Sequence, residues 1–143
     1  MFHRTLSLLA TLAFAIAPMA VADDAAPTER EAIEARIMDY FQGQGTADRE
    51  RLERAFAEEV APMIFPSADG GFQKREIADV IDRWAGAENP PGERSNYEIL
   101  SIEITDDRIA TAMFRYTDRF YDAFVLIKHE GEWQIVTKAF VRQ

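Results

Sequence analysis

Apolar residues recur at helical spacing in the first half of the chain and at alternating spacing in the second. Ile33, Ile37, Tyr40 and Phe41 stand four and three apart, which marks one face of a helix. Thr28-Glu29-Arg30-Glu31 supplies its start, because Thr28 can accept from the backbone N–H three residues on while Glu31 reaches back. Gly43 reads as the stop, with Gln42 to Thr46 (QGQGT) as a loop. Asp48 opens a second helix with Leu52, Ala55 and Phe56 on one face, ended by Pro62. Met63-Ile64-Phe65 reads as a short strand and Pro66 to Gly71 (PSADGG) as a turn. Ile77, Val80, Ile81 and Trp84 mark a third helix ended by Gly86, and Ala87 to Ser95, with Pro90-Pro91-Gly92, is irregular.

From Tyr97 the period is two. Strands are expected at Tyr97 to Ile104, Ile109 to Tyr116, Arg119 to Lys128 and Glu132 to Val141. The apolar set of the first shifts parity between Ile99 and Leu100, as a bulge or two-sided burial would make it. The last two strands are apolar at both parities: Phe124, Leu126, Trp133 and Ile135 against Val125, Ile127, Val136 and Phe140. A sheet wet on one face would alternate cleanly. The pattern predicts an α+β domain of three helices packed on one face of a curved antiparallel sheet. The sheet then either meets a second subunit on its other face or wraps round a pocket.

Composition changes the picture at the amino terminus. One arginine, Arg4, precedes an apolar run from Leu6 to Ala17, and Ala20-Val21-Ala22 has the small-x-small form of a cleavage site. Residues 1–22 therefore read as a signal peptide, 23–28 as a flexible lead-in and 29–143 as the domain. The run of 12 residues is short of the roughly 20 that span a bilayer. Cleavage after Ala22 leaves 121 residues, enough for one core, in the periplasm or outside the cell, with no membrane anchor. The absence of cysteine excludes a thiolate nucleophile, a thiolate metal site and disulfides. The net charge of −9, or −10 once Arg4 is lost, argues against nucleic acid or an anionic membrane as partner.

Several motifs in order resemble one family. They are Tyr40-Phe41-Gln42-Gly43, Asp48 to Phe56 (DRERLERAF), Asp69-Gly70, Tyr97 to Ile102 (YEILSI), and above all Phe120 to Phe140 (FYDAFVLIKHEGEWQIVTKAF). In the last, Asp122, Gly131, Trp133 and Lys138 stand as an aspartate, a Gly-x-Trp turn and a lysine before the final aromatic. The chain is similar to the putative lumazine-binding family of the nuclear transport factor 2-like (SnoaL-like) superfamily. That resemblance implies a cone-shaped, cystatin-like fold with a pocket. Many relatives carry a histidine after the second helix, where this chain has Phe56-Ala57-Glu58.

Asp122 and Lys138 are the first candidates for chemistry, because a charge within an apolar strand is costly unless paired. A three-residue loop at His129-Glu130-Gly131 sets Asp122 opposite Lys138, whereas two or four residues turn Lys138 to the other face. The pair either orients a polar ligand or is a purely structural ion pair. His129 is the single histidine after cleavage and sits at a turn, where side chains point to water. Most aromatics belong to the core, and Tyr40, Trp84 and Tyr116 are the expected pocket walls, their polar tips suiting a half-wet site. No calcium-loop spacing, G-x-S-x-G, S-x-x-K or dinucleotide fingerprint occurs, so neither metal nor cofactor is expected.

Two functions follow. One is an exported, homodimeric pocket protein for a small hydrophobic or heteroaromatic molecule. The other, implied by the superfamily, is a dehydratase, isomerase or cyclase with Asp122 as base and Lys138 or Tyr116 assisting. A protein-interaction or dimerisation module is a third. The missing histidine favours the first.

Overall fold

A computed structural model describes residues 26–143. The signal segment expected at 1–22 and residues 23–25 of the lead-in expected at 23–28 lie outside the described residues. The elements run α1 (Glu29–Thr46), α2 (Arg49–Ala55), β1 (Pro62–Pro66), β2 (Phe72–Glu76), α3 (Ile77–Ala85), β3 (Tyr97–Thr105), β4 (Ile109–Tyr116), β5 (Phe120–His129) and β6 (Glu132–Arg142). The six strands form one sheet in the order β2-β1-β6-β5-β4-β3. The helices pack on one face, and the core between them is aromatic and aliphatic: Ile33, Ile37, Phe41, Leu52, Phe114, Phe124, Leu126, Trp133 and Ile135 are all nearly inaccessible.

The sheet is mixed, not antiparallel throughout, because β1 runs parallel to β6 through Met63↔Lys138 and Ile64↔Ala139. β2 is a strand that the periodicity does not announce. All five of its residues are exposed, so no alternation marks it, and it forms by pairing with β1 across the PSADGG turn.

Helix α1 starts at the expected capping box, where Thr28 Oγ1 accepts from the Glu31 N–H and Glu31 takes the Thr28 N–H. It does not stop at Gly43. It runs to Thr46 and closes on Ala47 in the left-handed conformation. Both glycines are buried within it for want of space. A Cβ on Gly43 would lie 3.1 Å from Arg51 and Leu52 of α2, and one on Gly45 would lie 2.5 Å from the Gly92 carbonyl oxygen. Helix α2 ends at Ala55, well before Pro62, and Phe56 turns out to bridge Ile135 of β6. The arginines of α2 are more than a solvated face, since Arg51 and Arg54 both donate to Asp39 of α1, which Arg36 also holds.

The parity shift in β3 is a bulge at Leu100, between Ile99 and Ser101. A second bulge lies in β6. Val125 pairs with Thr137 and Leu126 with Ile135, which leaves Val136 without a partner. Trp133 and Ile135 point to the core before it, and Lys138 and Phe140 point inward after it. That reversal accounts for a strand apolar at both parities.

Candidate functional site

The β5–β6 connection is a tight two-residue turn, Glu130-Gly131, with positive φ at both positions and His129 paired to Glu132. Such a turn alone would send Lys138 to the outer face. The bulge at Val136 restores it. Asp122 pairs with Phe140 and Phe124 with Lys138, so the two charged residues are diagonal neighbours on the inner face.

They form a closed polar group in the core. Lys138 Nζ donates to Asp122 Oδ1 at 2.6 Å, and the Tyr40 hydroxyl donates to Asp122 Oδ2 at 3.0 Å. Asp122 is 1% exposed and Lys138 2%. Aromatic rings surround the ammonium, with Phe140 at 4.6 Å and Tyr40 at 5.2 Å from Nζ to ring centroid. Burial pushes the Lys138 pKa down, against the opposing pull of Asp122. Burial first, and the adjacent Asp122 charge second, push the Tyr40 phenol well above its ordinary value of 10.0. A Tyr–Asp–Lys chain of this kind holds charge in place. Both Asp122 oxygens are already engaged, so its reach toward a substrate passes through Lys138 or Tyr40.

Lys138 and Tyr40 form part of the wall of a cavity of about 120 Å³ between α1, α3 and the β1–β6 end of the sheet. Trp84, Met63, Phe120 and Phe140 give that wall its apolar part. Gln44, Arg75 and Arg83 complete it. Trp84 is half-buried, with its ring tilted against Tyr40 at 5.7 Å between centroids. The structure thus brings Tyr40, Trp84 and Lys138 to one cavity, with Asp122 directly behind. Tyr116 is not on that wall. It packs edge-on against Phe41 at 5.0 Å, beside the Arg94 guanidinium. His129 lies at the exposed turn.

Gln44, Arg75 and Arg83 escape a sequence reading for physical reasons. Gln44 lies in the segment that resembles a loop, Arg75 in the unannounced strand β2, and Arg83 on an exposed turn of α3. Gln44 is held in place by the α3–β3 connection. Gln42 exchanges two hydrogen bonds with the Arg94 backbone, at 2.8 and 2.9 Å, and Arg94 Nη1 donates to Gln44 Oε1 at 2.6 Å. Among the described residues no cluster of three or more potential metal ligands occurs, and no helix is long and apolar enough to cross a membrane.

The family model described as "Putative lumazine-binding" matches residues 28–141, from the α1 cap to the end of β6. The chain belongs to that family. Solved structures share the family's fold. An NTF2-like protein of unknown function from Shewanella baltica OS155 is 24% identical, with a TM-score of 0.68 over 80% of this chain and 94% of its own. One from Silicibacter pomeroyi DSS-3 is 23% identical, with a TM-score of 0.67 over 82% of this chain and all of its own. A ketosteroid isomerase-like protein from Erwinia carotovora atroseptica is 15% identical, with a TM-score of 0.55 over 80% of this chain and 95% of its own. Among curated proteins nothing matches this chain. At these identities the likeness is one of fold: three helices over a curved, unclosed mixed sheet, the NTF2-like or cystatin-like arrangement.

Proposed function

We propose that this chain is an exported pocket protein that binds a small hydrophobic or heteroaromatic molecule in the cavity above Asp122 and Lys138. The observation that carries the reading is the wall itself: the rings of Trp84, Phe120 and Phe140 beside one buried, immobilised ammonium. The Tyr40–Asp122–Lys138 chain spans α1, β5 and β6 and fixes that ammonium before a ligand arrives. Lumazine binding, after which the family is described, is in keeping with a flat heteroaromatic guest.

The reading includes a periplasmic or secreted location, from the signal segment, and a homodimer. Support for the dimer comes from the outer sheet face, where Ile64, Phe72, Met113, Ala123 and Val141 line an almost wholly apolar depression of about 220 Å³. A second reading, an acid–base enzyme of the dehydratase, isomerase or cyclase type, draws on the depressed pKa of Lys138 at the cavity wall. The engagement of both Asp122 oxygens favours the binding reading.

Native mass spectrometry of the protein recovered from its own compartment tests all parts at once. The expected result is a dimer of 121-residue chains carrying a stoichiometric small molecule released on denaturation. An intact amino terminus would reject export, and an empty cavity with turnover of a carbonyl substrate abolished in Asp122→Asn would establish the enzyme instead.

A further inference from the structure

Most of the polar groups of the cavity share one property: what they leave free for a guest is a donor. Gln44 has its carbonyl oxygen taken by Arg94, so its amide NH2 is the end left for a guest. Lys138 donates one of its three N–H groups to Asp122 and keeps two, whereas the one O–H of Tyr40 is taken up by Asp122, which leaves only its oxygen as an acceptor. Arg75 and Arg83 bring two guanidiniums, and neither is paired with a carboxylate of the described residues. No Asp or Glu lines the cavity. Such a wall is unexpected in a chain with 25 acidic against 16 basic residues, where unpaired arginines at a shared concavity should be scarce. The opposite half of the wall is aromatic and aliphatic, from Trp84, Met63, Phe120 and Phe140.

We infer that the ligand is a small organic carboxylate, with one ring held against Trp84 and Phe140 and its carboxylate held by Arg75 and Arg83 at the mouth. This rests on the pocket reading proposed above and names its ligand class. A guanidinium meets a carboxylate with two parallel N–H donors, a match that a neutral amide cannot supply. Size agrees. A dry cavity of about 150 Å³ takes a benzene ring, and this one, at about 120 Å³, has the exposed side chains of Arg75 and Arg83 in its lining. One ring enters, and its charged substituent remains at the mouth. Lys138 sets the polarity of the floor without being the primary partner, because its ammonium is already committed to Asp122.

Benzoate and its neutral isostere benzamide discriminate. The protein has two tryptophans, and each gives one indole N–H resonance. Trp84 lines the cavity, whereas Trp133 donates to Glu29 near the start of α1 and serves as a control for folding. Benzoate should shift the Trp84 resonance saturably and leave that of Trp133 in place. Benzamide should bind about tenfold more weakly or worse, and Arg75→Gln and Arg83→Gln should each weaken benzoate by about tenfold. Both arginines are exposed, so these variants keep the core intact. Equal affinity for benzamide, or arginine variants that bind benzoate as before, would overturn the carboxylate assignment while leaving a pocket for neutral guests. If neither probe moves the Trp84 resonance, the carboxylate assignment and the pocket reading fall together.

Discussion

Lys138 depends on Asp122 more than on any other residue. A buried ammonium that loses its carboxylate, or the reverse, stands uncompensated in a low-dielectric core. Lys138→Met should therefore lower stability by roughly 3–5 kcal/mol. Replacing the pair together, with Asp122→Leu and Lys138→Met, should recover much of that loss in urea unfolding. It should not recover all of it, because the Tyr40 hydroxyl is then buried without an acceptor, a deficit of about 1–3 kcal/mol that adding Tyr40→Phe removes. Equal, mild effects of single and double changes would show that the pair is not coupled. Tyr40 gives a second test at this scale. Its folded pKa lies above that of the unfolded phenol, so above pH 10 the unfolded chain binds fewer protons and stability falls as pH rises. In an ultraviolet titration the latest tyrosinate step should coincide with alkaline unfolding, and Tyr40→Phe should abolish that step. A Tyr40→Phe protein that retained it would contradict the assignment.

Elements are positioned here by contacts that override local propensity. Glycine ordinarily weakens a helix by about 1 kcal/mol relative to alanine, so Gly45→Ala should help α1 on propensity alone. The structure predicts the opposite. Its Cβ would meet a backbone oxygen at 2.5 Å, where no side chain can swing aside, and the same contact carries the Gly92 N–H to Gly45 carbonyl bond of 2.8 Å. Gly45→Ala should cost roughly 1–3 kcal/mol by overpacking. Gly43→Ala, facing side-chain atoms at 3.1 Å, should cost less. Thermal unfolding of the two variants ranks them, and a stabilised Gly45→Ala would refute the close approach. The same competition decides what the sequence made legible. Helices α1 and α3, the four long strands and the bulge in β3 follow from periodicity and caps, because burial on one face leaves a pattern. The end of α1, the strand β2 and the bulge at Val136 leave none. Each is set by a pairing partner and not by burial on one face: Gly92 for the end of α1, the adjacent β1 for β2, and, for the bulge, the switch of β6 from pairing with Phe56 to pairing with β1. Asp122 and Lys138 stand out as charges in apolar strands, but their common face depends on that silent bulge, and the arginine half of the cavity rests on β2 and α3.

At the scale of the whole molecule, the sheet divides two apolar environments. Its inner face is sealed by the helices around the Asp122–Lys138 pair. Its outer face leaves Met113 39%, Ile127 41% and Val141 47% exposed on neighbouring strands, with Phe72 of β2 at 82%. Scattered apolar side chains are ordinary on a surface, but a continuous band of them across β1, β6, β5 and β4 calls for cover. A second copy can supply it, since a two-fold axis through the sheet pairs the patch with itself. Met113→Asp places one charge in the band of each protomer, so a symmetric dimer would bury two like charges against each other. The variant should therefore run as a folded monomer in light scattering while keeping its circular dichroism. Because Asp122, Lys138 and the cavity lie on the other side of the sheet, ligand binding by that monomer should be unchanged. A dimer that survives Met113→Asp would place the interface elsewhere. A monomer that loses its ligand would mean that the outer face holds the strands β1 and β6 in the curvature the cavity needs.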